Sequence, residues 1–171
     1  MSLDKNGLPL KFGIVKGEDT APKLSIPLAA TQYIPAGGCF CKTDGSGRGQ
    51  VAGDGDTLIM GYIMPNETGL DVGKKYQTTS GTAGAVPFSP WIPAAAMLGC
   101  VVRLPVDSGT YVQAMQGQTC DLIIQNGKAQ AASLDQSAED VVVIVDGDLI
   151  NNKWVDVILN PSKITGQAGV V

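Results

Sequence analysis

The chain has 171 residues, 44% of them apolar and only 16% charged, with a formal net charge of -4 and no histidine. That length allows one proper core and excludes two full-sized domains. The acidic balance and the lack of any Lys/Arg stripe exclude a nucleic-acid-binding domain, which needs clustered cations to displace counterions from phosphates. The charged share lies well below the roughly one quarter usual for soluble globular chains, a composition that favours a surface partly covered by a partner.

Residues 1–27 mix charges, Gly and Pro around one short apolar stretch and fit neither a helix nor a long core strand, so they read as an extended arm. Leu8, Leu10, Phe12, Ile14 and Val15 would be costly to leave in water, which places the arm on a neighbouring molecule or on its own domain. The start, Met1-Ser2-Leu3-Asp4-Lys5-Asn6, is polar and no apolar segment follows it, so no signal peptide is expected. Lys5, Lys11, Lys16 and Lys23 all fall in this arm, whereas the segment from Asp135 to Asp156 holds six acids against Lys153 alone. The two ends are thus suited to partners of opposite sign, or to each other.

From residue 28 to 160, short β-branched runs alternate with Gly, Pro, Asn and Asp at close intervals, the pattern of an all-β barrel or sandwich-like domain. Residues 37–42 and 56–64 read as strands flanking a Gly-rich surface loop, Thr43 to Gly55, with no regular structure of its own. Within it, Asp44-Gly45-Ser46-Gly47-Arg48-Gly49-Gln50 fails as a calcium loop because Arg48 takes a ligand place and no closing Glu follows. It fails as a phosphate loop because Gln50-Val51 stands where Lys-Ser/Thr is needed. It reads instead as a flexible hairpin loop, and if it has a further role, contact with a neighbouring subunit through Arg48 is the one expected.

The segment Ser89 to Met97 predicts a helical turn, with Pro93 at the first helical position. Trp91, flanked by prolines, reads as a core anchor or an interface hot spot. Residues 120–125 and 128–130 around Asn126-Gly127 predict a hairpin with a two-residue type I′ turn. A second hairpin joins 140–146 to 153–159 through 147–152, with Val155, Val157 and Leu159 on one face and Trp154, Asp156 and Ile158 on the other. Beyond Asn160-Pro161, residues 161–171 read as a C-terminal tail.

The chemistry of catalysis finds no foothold. Without imidazole there is no Ser-His-Asp or Cys-His machinery. The acid pairs Asp54/Asp56, Glu139/Asp140 and Asp146/Asp148 sit in or beside Gly-containing turns, where Asp is a preferred turn residue, so no enzyme and no cofactor is expected. Cys39, Cys41, Cys100 and Cys120 lie in apolar, strand-like settings and read as reduced, buried small hydrophobes. The alternative is a four-Cys metal site with Cys39 and Cys41 on one strand face, although structural zinc sites space their thiols on turns. The longest apolar runs are too short or too interrupted to span a bilayer as a helix.

An extended polar N-terminal arm is followed by Tyr33-Ile34-Pro35-Ala36-Gly37-Gly38, a Gly-rich loop and Leu58-Ile59-Met60-Gly61-Tyr62-Ile63. A second block runs from Arg103-Leu104-Pro105-Val106 through Gly117-Gln118-Thr119-Cys120-Asp121-Leu122 to Val145-Asp146-Gly147-Asp148 and Lys153-Trp154-Val155-Asp156-Val157. In this pattern the chain resembles the head-decoration, or capsid cement, proteins of tailed bacteriophages. The resemblance implies a β-rich virion subunit on the outer face of an icosahedral head. Such a subunit bridges major capsid proteins and forms a small homo-oligomer, with a trimer favoured. The rival expectation is a carbohydrate- or receptor-binding β module, for which aromatic residues at 5% supply little material.

Overall fold

The computed structural model describes residues 12–29, 33–35, 37–64, 76–77, 88–125, 129–135 and 138–164. In chain order the strands are β1 (Gly13–Lys16), β2 (Leu24–Pro27), β3 (Tyr33–Ile34), β4 (Cys39–Thr43), β5 (Gly49–Val51), β6 (Gly61–Ile63) and β7 (Tyr76–Gln77). Then come β8 (Phe88–Pro93), the one-turn helix α1 (Ala94–Met97), β9 (Val101–Ser108), β10 (Thr119–Gln125), β11 (Ala129–Ser133), β12 (Val142–Gly147) and β13 (Trp154–Leu159).

The C-terminal strands close on themselves. β9 pairs with β13 along one edge and with β11 along the other, and β11, β10, β12 and β13 complete the ring, giving a five-stranded barrel. Val102 and Leu104, Cys120 and Leu122, Val142 and Ile144, and Val155, Val157 and Leu159 fill its core, the two-residue period expected where one strand face is buried. On the outer face, Asp156 is directly opposite Arg103. Arg103 grips it with two hydrogen bonds, Nε to Oδ1 at 2.7 Å and Nη2 to Oδ2 at 2.8 Å, while its guanidinium stacks 3.8 Å above the Trp154 ring. The acid among apolar neighbours is therefore the anchor of a cross-strand ion pair.

The second sheet, ordered β2-β8-β6-β4-β5, curls into a half-barrel whose edges touch through a single bridge, Leu28 with Gly49. Both of its faces are covered. Phe40, Tyr62 and Ile92 join the barrel core, with the Phe40 and Tyr62 rings edge to face at 5.2 Å. Cys39, Cys41 and Ile63 point the other way into a second, smaller core with Ile26, Leu28 and Ile34. This explains why these strands read as continuous apolar runs and do not alternate.

What joins the two halves is the side chain of Gln130 on β11, 3% exposed. Its Oε1 accepts the Phe40 N–H at 2.8 Å, and its Nε2 donates to the carbonyls of Phe40 at 3.1 Å and Ala52 at 2.7 Å. β5 pairs with β4 only as far as Cys41 with Val51. One residue further on, the Ala52 N–H still donates to the Phe40 carbonyl at 3.0 Å, and the glutamine amide bridges the other two groups, the Phe40 N–H and the Ala52 carbonyl. A second clip runs from the Ile59 N–H to the Lys163 carbonyl at 2.7 Å.

Several expectations are corrected. The described part of the supposed arm, residues 12–27, takes the second of its two expected placements, on its own domain, but as strands of both sheets: β1 lies antiparallel on β9 and β2 antiparallel on β8. Short strands with one buried apolar side chain each, Ile14 and Ile26, leave too weak a pattern to read. The start of the supposed tail is likewise docked, with Ile164 bridged to Ile59 and buried. The Gly-rich loop 43–55 contains β5, so its irregular tip spans only 44–48. The helix near 94–97 is a single turn with Pro93 just before it, and the residues ahead of it are strand β8. The first predicted hairpin forms, but Gln125 pairs with Ala129 where a two-residue turn would pair it with Lys128. The turn itself, residues 126–128, lies outside the described residues. The second hairpin forms as expected, with a bulge between Ile144 and Asp146.

Gln130→Leu strips hydrogen bonds from two buried backbone positions at the junction, at roughly 1–3 kcal/mol per orphaned group. Urea unfolding is expected to show a loss of about 2–5 kcal/mol, far more than substitution at exposed Ser46 produces.

Candidate interaction surface

The residues expected to touch partners do not form one surface. Leu8 and Leu10 lie outside the described residues. Ile14 is 7% exposed and belongs to the barrel core, and Phe12 and Val15 beside it are half-buried. Arg48 is half-buried at the base of the 44–48 tip, its Nε 3.8 Å from Asp44 Oδ2, and Asp44 Oδ1 accepts the Ser46 and Arg48 N–H groups. Trp91 packs on the second core and over Gly61, where any β-carbon would sit 2.2 Å from its Nε1. Of the five that are described, then, Ile14 and Trp91 pack against different cores and none is a fully exposed apolar side chain.

The acid pairs organise turns. Asp56 accepts the Gly53 N–H and the Lys42 ammonium, and Asp54 accepts the Ile124 N–H at 3.3 Å, clipping the half-barrel to the barrel. Asp140 takes the Thr119 hydroxyl, and its own carbonyl takes the Asn160 amide. The most buried carboxylate is one that sequence reasoning passed over, Asp121, 2% exposed, whose oxygens accept the N–H groups of Ala138, Glu139 and Asp140 at 2.8–3.1 Å. Burial pushes Asp121 up, but those donors and the Glu139 side chain outweigh it and hold it below the ordinary range, while Glu139 is raised by its hydrogen bond to Asp121.

The four thiols are all free and buried, but Cys39 and Cys41 belong to the second core whereas Cys100 and Cys120 line the first. Opposite faces of a sheet cannot converge on one ion, and among the described residues no three potential ligands do. Burial pushes Cys41 and Cys120 to about 12. No helix among the described residues is long and apolar enough to cross a membrane.

A different set of side chains is displayed to solvent. In the turn between β12 and β13, Ile150 is 90% exposed and Leu149 59%, and Val112 in the neighbouring loop is 48% exposed. The turn is tightly held. Asp148 accepts the N–H groups of Ile150, Asn151 and Lys153, and the Asn152 N–H donates to the Asp148 carbonyl at 3.1 Å. Asn152, at φ 52, reaches across to the other loop, its Oδ1 accepting the Tyr111 N–H at 2.7 Å and its Nδ2 donating to the Gly109 carbonyl at 2.7 Å. Beneath them the Tyr111 ring lies against Gly147, where a β-carbon would meet it at 2.6 Å. Burying a side chain of this size stabilises by roughly 1.5–3 kcal/mol, so a fixed turn that offers two of them to water is a ready-made anchor. The clue in the sequence was Asp148-Leu149-Ile150-Asn151, an apolar pair between two turn-forming residues.

No family model, curated protein or solved structure matches this chain.

Burial pushes the Asp148 carboxyl up, but the N–H groups of Asn151, Ile150 and Lys153 outweigh it and hold it below the ordinary range. Its stabilisation is therefore complete above the unfolded pKa of about 3.9 and disappears as pH falls through the lower folded value. Asp148→Ala should cost about 1–2 kcal/mol at pH 7, a difference that shrinks towards zero in acid unfolding titrations. For the cysteines, a disulfide reagent at pH 8 should label none in the native protein and all four after denaturation, since only an exposed thiolate reacts.

Proposed function

We propose that this chain is a structural virion protein that binds the outer surface of an icosahedral phage head and bridges adjacent major capsid proteins. The observation that carries this reading is the pre-organised apolar turn at Leu149 and Ile150, presented by a body that two closely joined β-layers make stiff. A binding subunit needs an anchor whose ordering cost is already met, and the Asp148 and Asn152 hydrogen bonds supply that. The decoration-protein pattern along the sequence supports the same reading. In it the protein is a passive clamp: it favours the expanded shell by its differential affinity for that state, and a small homo-oligomer, a trimer in the favoured form, multiplies the contacts.

The rival, a carbohydrate- or receptor-binding β module, needs an open aromatic platform. Trp154 is half-buried and one face of its ring is occupied by Arg103, which favours the clamp.

Expanded heads assembled from the major capsid protein encoded alongside this chain provide the test. With the subunit bound they should withstand a higher temperature before releasing DNA than bare heads do, and unexpanded shells should bind little. Identical rupture temperatures with and without the subunit would refute clamping.

A further inference from the structure

The C-terminal ends of β9, β11 and β12 lie at one end of the barrel, because β11 runs parallel to β9 while β11 and β12 are both antiparallel to β10. The loops there are laced together. Besides the Asn152 bonds, Gln116 Nε2 donates to the Val145 carbonyl at 3.0 Å, and Ser108 Oγ bonds Asp135 Oδ1 at 2.6 Å. Among the described residues this end carries the exposed Val112, Leu149 and Ile150, and the strand ends and loops there hold Asp107, Asp135, Asp146 and Asp148 with Lys153 as their cation. Asp135 is held in its charged form by the Ser108 and Ser133 hydroxyls.

We propose that this end of the barrel is an acid-ringed apolar plug that seats in an apolar recess bordered by Lys or Arg side chains on the head protein. The inference rests on the structural-subunit reading above and names the partner surface for it. Charge decides among the occupants. A second copy docking by the same end would bring two acidic rings together. Nucleic acid and anionic lipid present phosphates of the same sign as the ring. A basic-rimmed protein recess satisfies both features at once: apolar contact for Ile150 and Leu149 at the centre, and complementary charge at the rim, where it speeds association and fixes orientation.

The test uses the full chain and expanded shells of the major capsid protein encoded with it. Free wild-type protein and Ile150→Asp should share one thermal midpoint and one sedimentation coefficient, since Ile150 contributes to no core. Shell affinity of Ile150→Asp should fall by about tenfold or more. Wild-type binding should weaken several-fold between about 0.05 and 0.3 M salt, and Asp107→Asn with Asp146→Asn should bind more weakly at low salt and flatten that dependence. Equal shell affinity for Ile150→Asp and wild type overturns the plug and leaves the clamp standing. Wild-type protein that fails to bind expanded shells overturns both. A change in the mass of the free protein on Ile150→Asp, with shell binding intact, assigns the tip to self-association and overturns the proposal as well.

Discussion

The fold turns on one side-chain amide. Gln130 stands on β11 two residues before Ala132, at the point where the barrel meets the half-barrel, and its carboxamide is inserted between the Phe40 N–H and the Ala52 carbonyl where β4 and β5 part. A buried backbone N–H or carbonyl left unpaired costs about as much as a lost hydrogen bond, and often more. Two sheets of different curvature inevitably leave such groups where one strand peels away from another. At Phe40 and Ala52 the glutamine accounts for one N–H and two carbonyls with a single planar group. Apolar side chains from both halves merge there into one cluster that includes Phe40, Tyr62 and Val102.

From that junction follows the stiffness on which the functional reading depends. The half-barrel is covered on both faces, so it cannot slide over the barrel without exposing one core or the other. Short clips at Asp54 with Ile124 and Ile59 with Lys163 fix the remaining contact. The barrel has no free edges of its own, because β9 is paired on both sides. A body of this kind transmits load between whatever it touches. Its far end, built on the Asp148 turn, holds apolar side chains in water without freedom to retract them.

The acids divide into two classes by what surrounds them. Asp121, Asp148 and Asp56 accept hydrogen bonds from backbone N–H groups and pin local structure, the ordinary work of Asp in turns. Asp156 faces Arg103 across the β9–β13 pair and makes the outer wall of the barrel partly ionic. The proposal of a clamp needs none of them as chemistry, only the negative rim that some of them give to one end of the molecule.

The all-β class, both hairpins, the inward set Val155, Val157 and Leu159 and the buried character of the cysteines could be read along the chain, since each depends on a two-residue period or on turn residues only a few positions apart. The fate of Ile14 and Ile164 could not, because a four-residue strand and an isolated bridge carry too little pattern and their partners, Val102 and Ile59, lie far away along the chain. Apolar side chains at 14 and 150 look alike in sequence, yet one is 7% exposed and the other 90%. Local residues decide whether a segment extends or turns. Which apolar side chains remain outside is settled only when distant strands pair and the interior is full, and that is why the sequence specified the materials of this protein while the tertiary structure decided which of its apolar side chains face water.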